Sequence, residues 1–88
     1  MKTLHTPEQC LVLLERGVIS TVRWNTRTYS VLEVLDAWVW CGDWWRSPDL
    51  LGERRAYWRL ACKHAILEVF ERLAPLDALG FFVAGWED

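Results

Sequence analysis

The chain has little of what catalytic and metal sites are usually built from. It holds two histidines, His5 and His64, and three widely spaced cysteines, Cys10, Cys41 and Cys62. An odd count without a CxxC pair argues against both a disulfide framework and a zinc knuckle, and Cys62 with His64 is too small a ligand set. Gly42, Gly52, Gly80 and Gly85 are spaced as turn residues and form no phosphate loop. No serine or cysteine stands in a recognisable arrangement with a histidine and an acid. The carboxylate pairs Glu33/Asp36 and Glu68/Glu71 come without sign of the cleft and shifted acid that glycosidic chemistry requires. No apolar run approaches the ~20 residues of a membrane helix, and Met1-Lys2-Thr3-Leu4-His5 lacks the apolar core of a signal peptide. These absences lead us to expect a non-catalytic protein with no metal or other cofactor and no membrane partner. Reduced thiols point to the cytoplasm.

What the chain does have is tryptophan and arginine. Its 88 residues, enough for one small domain spanning 1–88, include seven Trp and eight Arg. The apolar fraction of 52% and charged fraction of 25% are those of a globular protein. Net charge is −2, so bulk charge does not mark a polyanion binder. The charge is uneven, however: Arg16 to Arg59 carries +2, and Leu60 onward carries −3.

Most segments read as strands. Val18, Ser20, Val22 and Trp24 alternate with Thr21 and Arg23, Asn25-Thr26-Arg27 makes a turn, and Thr28 to Val31 returns. Residues 6–17 are ambiguous. Thr6-Pro7-Glu8-Gln9 has the form of a helix capping box, but Cys10 to Leu14 is a short apolar run and Glu15-Arg16-Gly17 could be a hairpin turn. Val31, Leu35 and Trp38 follow helical spacing, with a bulged strand as the competitor. Arg55 to Cys62 and Ala65 to Leu73 are expected to form a hairpin, although Lys63-His64 is poor turn chemistry. A single helix from Glu53 to Ala74 is the alternative. Phe81 to Trp86 supplies a last strand. The expectation is a mainly β fold, a small antiparallel curled sheet or barrel of about five or six strands, with room for one short helix at Pro7–Leu14 or Val31–Trp38.

Two patches organise the chain, Trp44-Trp45-Arg46 and Arg55-Ala56-Tyr57-Trp58-Arg59. Alternation on a strand puts Ala56, Trp58, Leu60 and Cys62 on one face and Arg55, Tyr57 and Arg59 on the other. The second face is either a solvated exterior with arginines over rings or a platform on which bases stack beside phosphate-binding arginines. The candidate binding residues are Trp45, Arg46, Arg55, Tyr57, Trp58 and Arg59. If Trp58 serves the core, it cannot also serve a platform.

At Arg23-Trp24, Tyr29-Ser30-Val31, Glu33 to Trp38, Trp44-Trp45-Arg46 and Arg55 to Arg59, the chain resembles a little-studied bacterial family of small Trp/Arg-rich domains. That pattern is similar to the C-terminal segment of ImuB-type proteins, the Y-family-polymerase-like subunits of the bacterial mutagenic translesion machinery. The resemblance spans roughly residues 18–88. It departs from the family at Asn25-Thr26 and Lys63-His64, where Gly-containing turns are usual. It implies a non-catalytic accessory role near DNA-damage tolerance and carries no defined site residues.

Two functions are therefore expected. One is a protein-interaction or self-association module, with a protein partner or a homodimer, because Arg, Trp and Tyr are favoured interface anchors and an open sheet edge invites pairing. The other is a weak binder of single-stranded DNA.

Overall fold

The computed structural model describes residues 2–41, 53–74 and 79–88. Six strands follow one another: β1 (Lys2–Glu15), β2 (Val18–Trp24), β3 (Arg27–Cys41), β4 (Arg54–Cys62), β5 (Ala65–Ala74) and β6 (Gly80–Glu87). They pair antiparallel in sequence order, and β6 returns to β1, closing a barrel. The mainly β expectation is met. Both stretches that left room for a helix, 7–14 and 31–38, are strand, and no helix occurs among the described residues. The Glu53–Ala74 stretch is the β4–β5 hairpin.

The interior is built by alternation. Leu60, Leu67, Val69, Val83 and Val22 are fully buried, with Cys10, Ile19, Trp24 and Cys62 around them. Opposed pairs Leu60↔Leu67 and Val69↔Val83 stack inward across β4, β5 and β6. At about 25 cal/mol per Å², these side chains supply most of the apolar burial that holds the barrel shut. Burial pushes the Cys10 thiol up to about 11 and raises that of Cys62 too. Cys41, by contrast, is exposed, so the three cysteines are not alike.

The Cys10 shift gives a pH prediction. Above about pH 9 the unfolded chain releases this proton while the folded chain retains it, so stability falls as pH rises. The contribution is intact below pH 9 and lost on the way to 11. Urea unfolding at stepped pH should show Cys10→Ala losing less stability over that window than the parent. Equal slopes would contradict the assignment.

Bulges decide where each strand faces. In β3 the register against β4 slips at two points, leaving Leu32 and Leu35 as extra residues. The inward positions then run Val31, Val34 and Ala37, opposite Cys62, Leu60 and Trp58. A step of three replaces the step of two, and this imitates helical spacing. In β2, Ser20 is the extra residue, and its hydroxyl donates to the Leu13 carbonyl at 3.2 Å.

Three tight turns use the left-handed region. Arg16 and Gly17 have φ of 54° and 79°, and Asn25 and Thr26 have 52° and 64°. Positive φ at both central residues is what a type I′ hairpin turn needs. Asn tolerates it, but a β-branched Thr does not do so readily. His64 stands at φ 75° in the β4–β5 turn. Thr26→Gly should therefore raise stability by about 0.5–1 kcal/mol, the relieved strain exceeding the added flexibility of the unfolded chain. Thermal unfolding checks this, and a lowered midpoint would contradict it.

Candidate functional site

The outer face of β3 to β6 carries a row of rings in register. Trp38 opposes Tyr57, Tyr57 opposes Phe70, and Phe70 opposes Phe82. Trp38 and Tyr57 stack at 5.2 Å between centroids, nearly parallel. Tyr57 and Phe70 are 5.0 Å apart, and Phe70 and Phe82 5.2 Å. Each such pair contributes about 0.5–1.5 kcal/mol beyond area burial. Phe70 is fully buried yet stands outside the interior cluster. The row is thus a second, external core.

Arginines roof it. The Arg55 guanidinium lies 4.7 Å from the Trp40 ring and 4.5 Å from Phe70. Its Nε donates to Glu53 Oε1 at 2.7 Å, and its Nη1 donates to the Tyr57 hydroxyl at 3.0 Å. Burial alone would lower its pKa, but the bonds and charges of Tyr57 and Glu53 outweigh this and raise it, so it stays cationic. Arg72 lies 4.8 Å over Phe82, and its Nε is 3.3 Å from the same Glu53 oxygen. Glu53 thereby anchors two arginines. Arg59 is different: it stands 6.0 Å over Trp38 and 3.7 Å from Glu68, with its side chain 45% exposed.

Of the six candidate binding residues, Arg55, Tyr57 and Arg59 share this face. Trp58 does not. It turns inward, 6.3 Å from Phe81, and lines an opening into the barrel. Trp45 and Arg46 lie outside the described residues. Reading the strand alone misses Trp38, Trp40, Phe70, Arg72 and Phe82, which only cross-strand register brings to the row, and Glu53, which stands just before β4, two residues from Arg55.

A second feature lies where β2 and β3 part. They pair only from Thr21↔Ser30 to Trp24↔Arg27. Beyond Ser30, β3 pairs with β4 on one side, and its other edge has no strand partner among the described residues. Leu32, Leu35 and Val39 on this stretch are 70%, 45% and 59% exposed. An opening of about 420 Å³ lies alongside it, walled by Leu14, Val18 and Ile19 on one bank and by Val34 and Ala37 on the other. Trp58 and Phe81 line it too, as does Glu71, the acid that interrupts the inward face of β5. Asp36 Oδ1 accepts the Ala37 amide at 2.8 Å, covering one backbone donor of β3.

The opposite mouth of the barrel holds a larger cavity of about 520 Å³. There the Trp24 indole donates to Glu8 Oε1 at 3.0 Å, and Arg27, Tyr29, His64 and Trp86 join the lining. No group of three or more His, Cys, Asp or Glu among the described residues is placed to hold a metal ion. No helix among the described residues is long and apolar enough to cross a membrane. No family model matches the chain, and neither the curated proteins nor the solved structures searched contain a match.

Proposed function

We propose that this protein is a non-catalytic interaction module that takes an extended segment of a protein partner along the open edge of β3. The carrying observation is the loss of β2–β3 pairing beyond Ser30, which leaves β3 with one edge unpaired among the described residues, beside an apolar opening. An unpaired edge offers backbone donors and acceptors at strand spacing, and an adjoining apolar pocket reads alternate side chains of the guest. The resemblance at Trp44-Trp45-Arg46 and Arg55 to Arg59 supports a setting in bacterial DNA-damage tolerance, in the cytoplasm, where such a module would join proteins rather than act on a substrate.

Selection of extended peptides from a display library tests this. Selected peptides should bind in the micromolar range and lose at least tenfold in affinity to Val34→Arg, which fills the opening. They should be indifferent to Leu11→Glu, an exposed site on β1. Peptides indifferent to Val34→Arg would overturn the reading.

A weak single-stranded DNA binder is the second reading, supported by the exposed Arg59 beside Trp38 and Tyr57. The roofing of Phe70 by Arg55 weighs against it, since that ring and that cation already serve each other. Tryptophan fluorescence with a short single strand at low salt separates the two: saturable quenching, weakened by salt and by Arg59→Ala, would favour DNA.

A further inference from the structure

Resting on the interaction-module reading, we infer that the segment received by β3 is basic at the positions between its apolar anchors, and that it is not a second copy of β3. The edge and its opening carry acids on every side. Glu33 and Asp36 are exposed on β3 itself. Glu71 reaches the opening from β5, and it makes no ion pair among the described residues. Glu15 sits opposite Val18 at the end of β1. Bases lie nearby as well, and Arg55 and Arg54 oppose Trp40 and Cys41 at the far end of the same stretch. Arg16 is in the β1–β2 turn, and Arg59 opposes Asp36 in register while reaching towards Glu68. None of these bases lines the opening, where Glu71 is the one charged residue among those described; Glu15, Glu33 and Asp36 lie outside the lining too.

This pattern sorts the occupants. In an antiparallel β3–β3 pairing centred between Glu33 and Asp36, carboxylates of one copy face those of the other, and like charges directly opposite destabilise a strand pair. A guest with Lys or Arg at alternate positions meets Glu33 and Asp36 on the outer face instead. Its intervening side chains meet Val34, Ala37, Trp58 and Phe81, in a volume of about 420 Å³ that suits one or two aliphatic groups. Trp58, a candidate for base stacking on sequence grounds, becomes part of the wall that an aliphatic anchor touches.

Three labelled nine-residue peptides test the inference by fluorescence anisotropy. The first has Ile at every second position with Lys and Thr between. The second replaces Lys with Glu. The third is the basic peptide N-methylated along one backbone edge. The expected result is at least a tenfold preference for the basic over the acidic peptide at low salt, shrinking in high salt. N-methylation should abolish binding, and the preference should fall in the Glu33→Gln/Asp36→Asn double variant. Equal binding of basic and acidic peptides, still abolished by N-methylation, would overturn the charge inference and leave strand addition standing. Failure of every peptide, or indifference to N-methylation, would overturn both. A stable dimer in sedimentation that the basic peptide dissociates would also overturn the inference, because the edge would then belong to a second copy.

Discussion

Phe70→Ala lowers stability by about 3–5 kcal/mol, as much as a truncation in the barrel interior. Phe70 stands on the outer face of β5, where a strand in a small barrel ordinarily meets water. Here it is fully buried, between Tyr57 and Phe82 and beneath the Arg55 guanidinium. Removing the ring takes away two aromatic contacts and the floor on which Arg55 rests, and leaves a void that the stiff sheet closes only in part. An 88-residue domain has roughly 4–13 kcal/mol of stability in total, so the variant should be partly unfolded at 37 °C. Urea unfolding followed by tryptophan fluorescence checks this. A loss below 1 kcal/mol, the value for a solvated surface ring, would show that the external row does not act as a core.

Glu53→Ala has the second-largest effect, about 2–3 kcal/mol. Its carboxylate meets Arg55 at 2.6 and 2.7 Å and Arg72 at 3.3 Å, with only 12% of the Glu53 side chain exposed. Breaking a buried pair leaves a charge without its counter-ion, which costs about 3–5 kcal/mol when burial is complete. The residual exposure of Arg55 and Arg72, 17% and 24%, reduces that figure. Arg59→Ala is the contrasting case. Its partner Glu68 is 3.7 Å away and its side chain is 45% exposed, so its loss should stay within about 0.5 kcal/mol. Arg55 and Arg59 are equivalent by alternation in the sequence, yet one clamps a buried cluster and the other lies in solvent. Similar losses for Glu53→Ala and Arg59→Ala would contradict that division.

The alternation of β4 was readable from the chain itself. Trp58, Leu60 and Cys62 do face the interior, and Arg55, Tyr57 and Arg59 face out. The β4–β5 hairpin was also readable despite its Lys63-His64 turn, because His64 takes up the positive φ that glycine usually supplies. β3 was readable only as one of two alternatives, the bulged strand that competed with a helix. Its two bulges turn a period of two into a period of three at Val31, Val34 and Ala37, so alternation fails, and the helical spacing of Val31, Leu35 and Trp38 matches no face of the strand, since Leu35 is an extra residue and Trp38 belongs to the outer row. The external core was hidden for a different reason. Tyr57 and Phe70 are a hairpin pair, but Trp38 and Phe82 reach them only through the register of two further strands. The open edge is likewise a property of where pairing stops, and no residue type announces that β2 leaves β3 after Ser30.

The two features divide the molecule's work. The roofed row stiffens β3 to β6 from outside, and the interior cluster closes the barrel from within. The stretch of β3 from Val31 to Cys41 is held on its β4 side by nine residue pairs, so it stays extended without a strand paired to its other edge among the described residues. A strand fixed in this way is pre-organised for a guest, which avoids the entropy cost of ordering a loop on binding.

Amide hydrogen exchange of the free protein, resolved residue by residue by NMR, tests the central claim most directly. Amides of β3 between Val31 and Cys41 that point away from β4 have no strand partner among the described residues to protect them. They should exchange fast, while β3 amides directed at β4 and the amides of β5, paired on both sides, remain protected. Uniform protection along the whole of β3 would mean that its second edge is already occupied, and the account of an open site for a partner strand would be wrong.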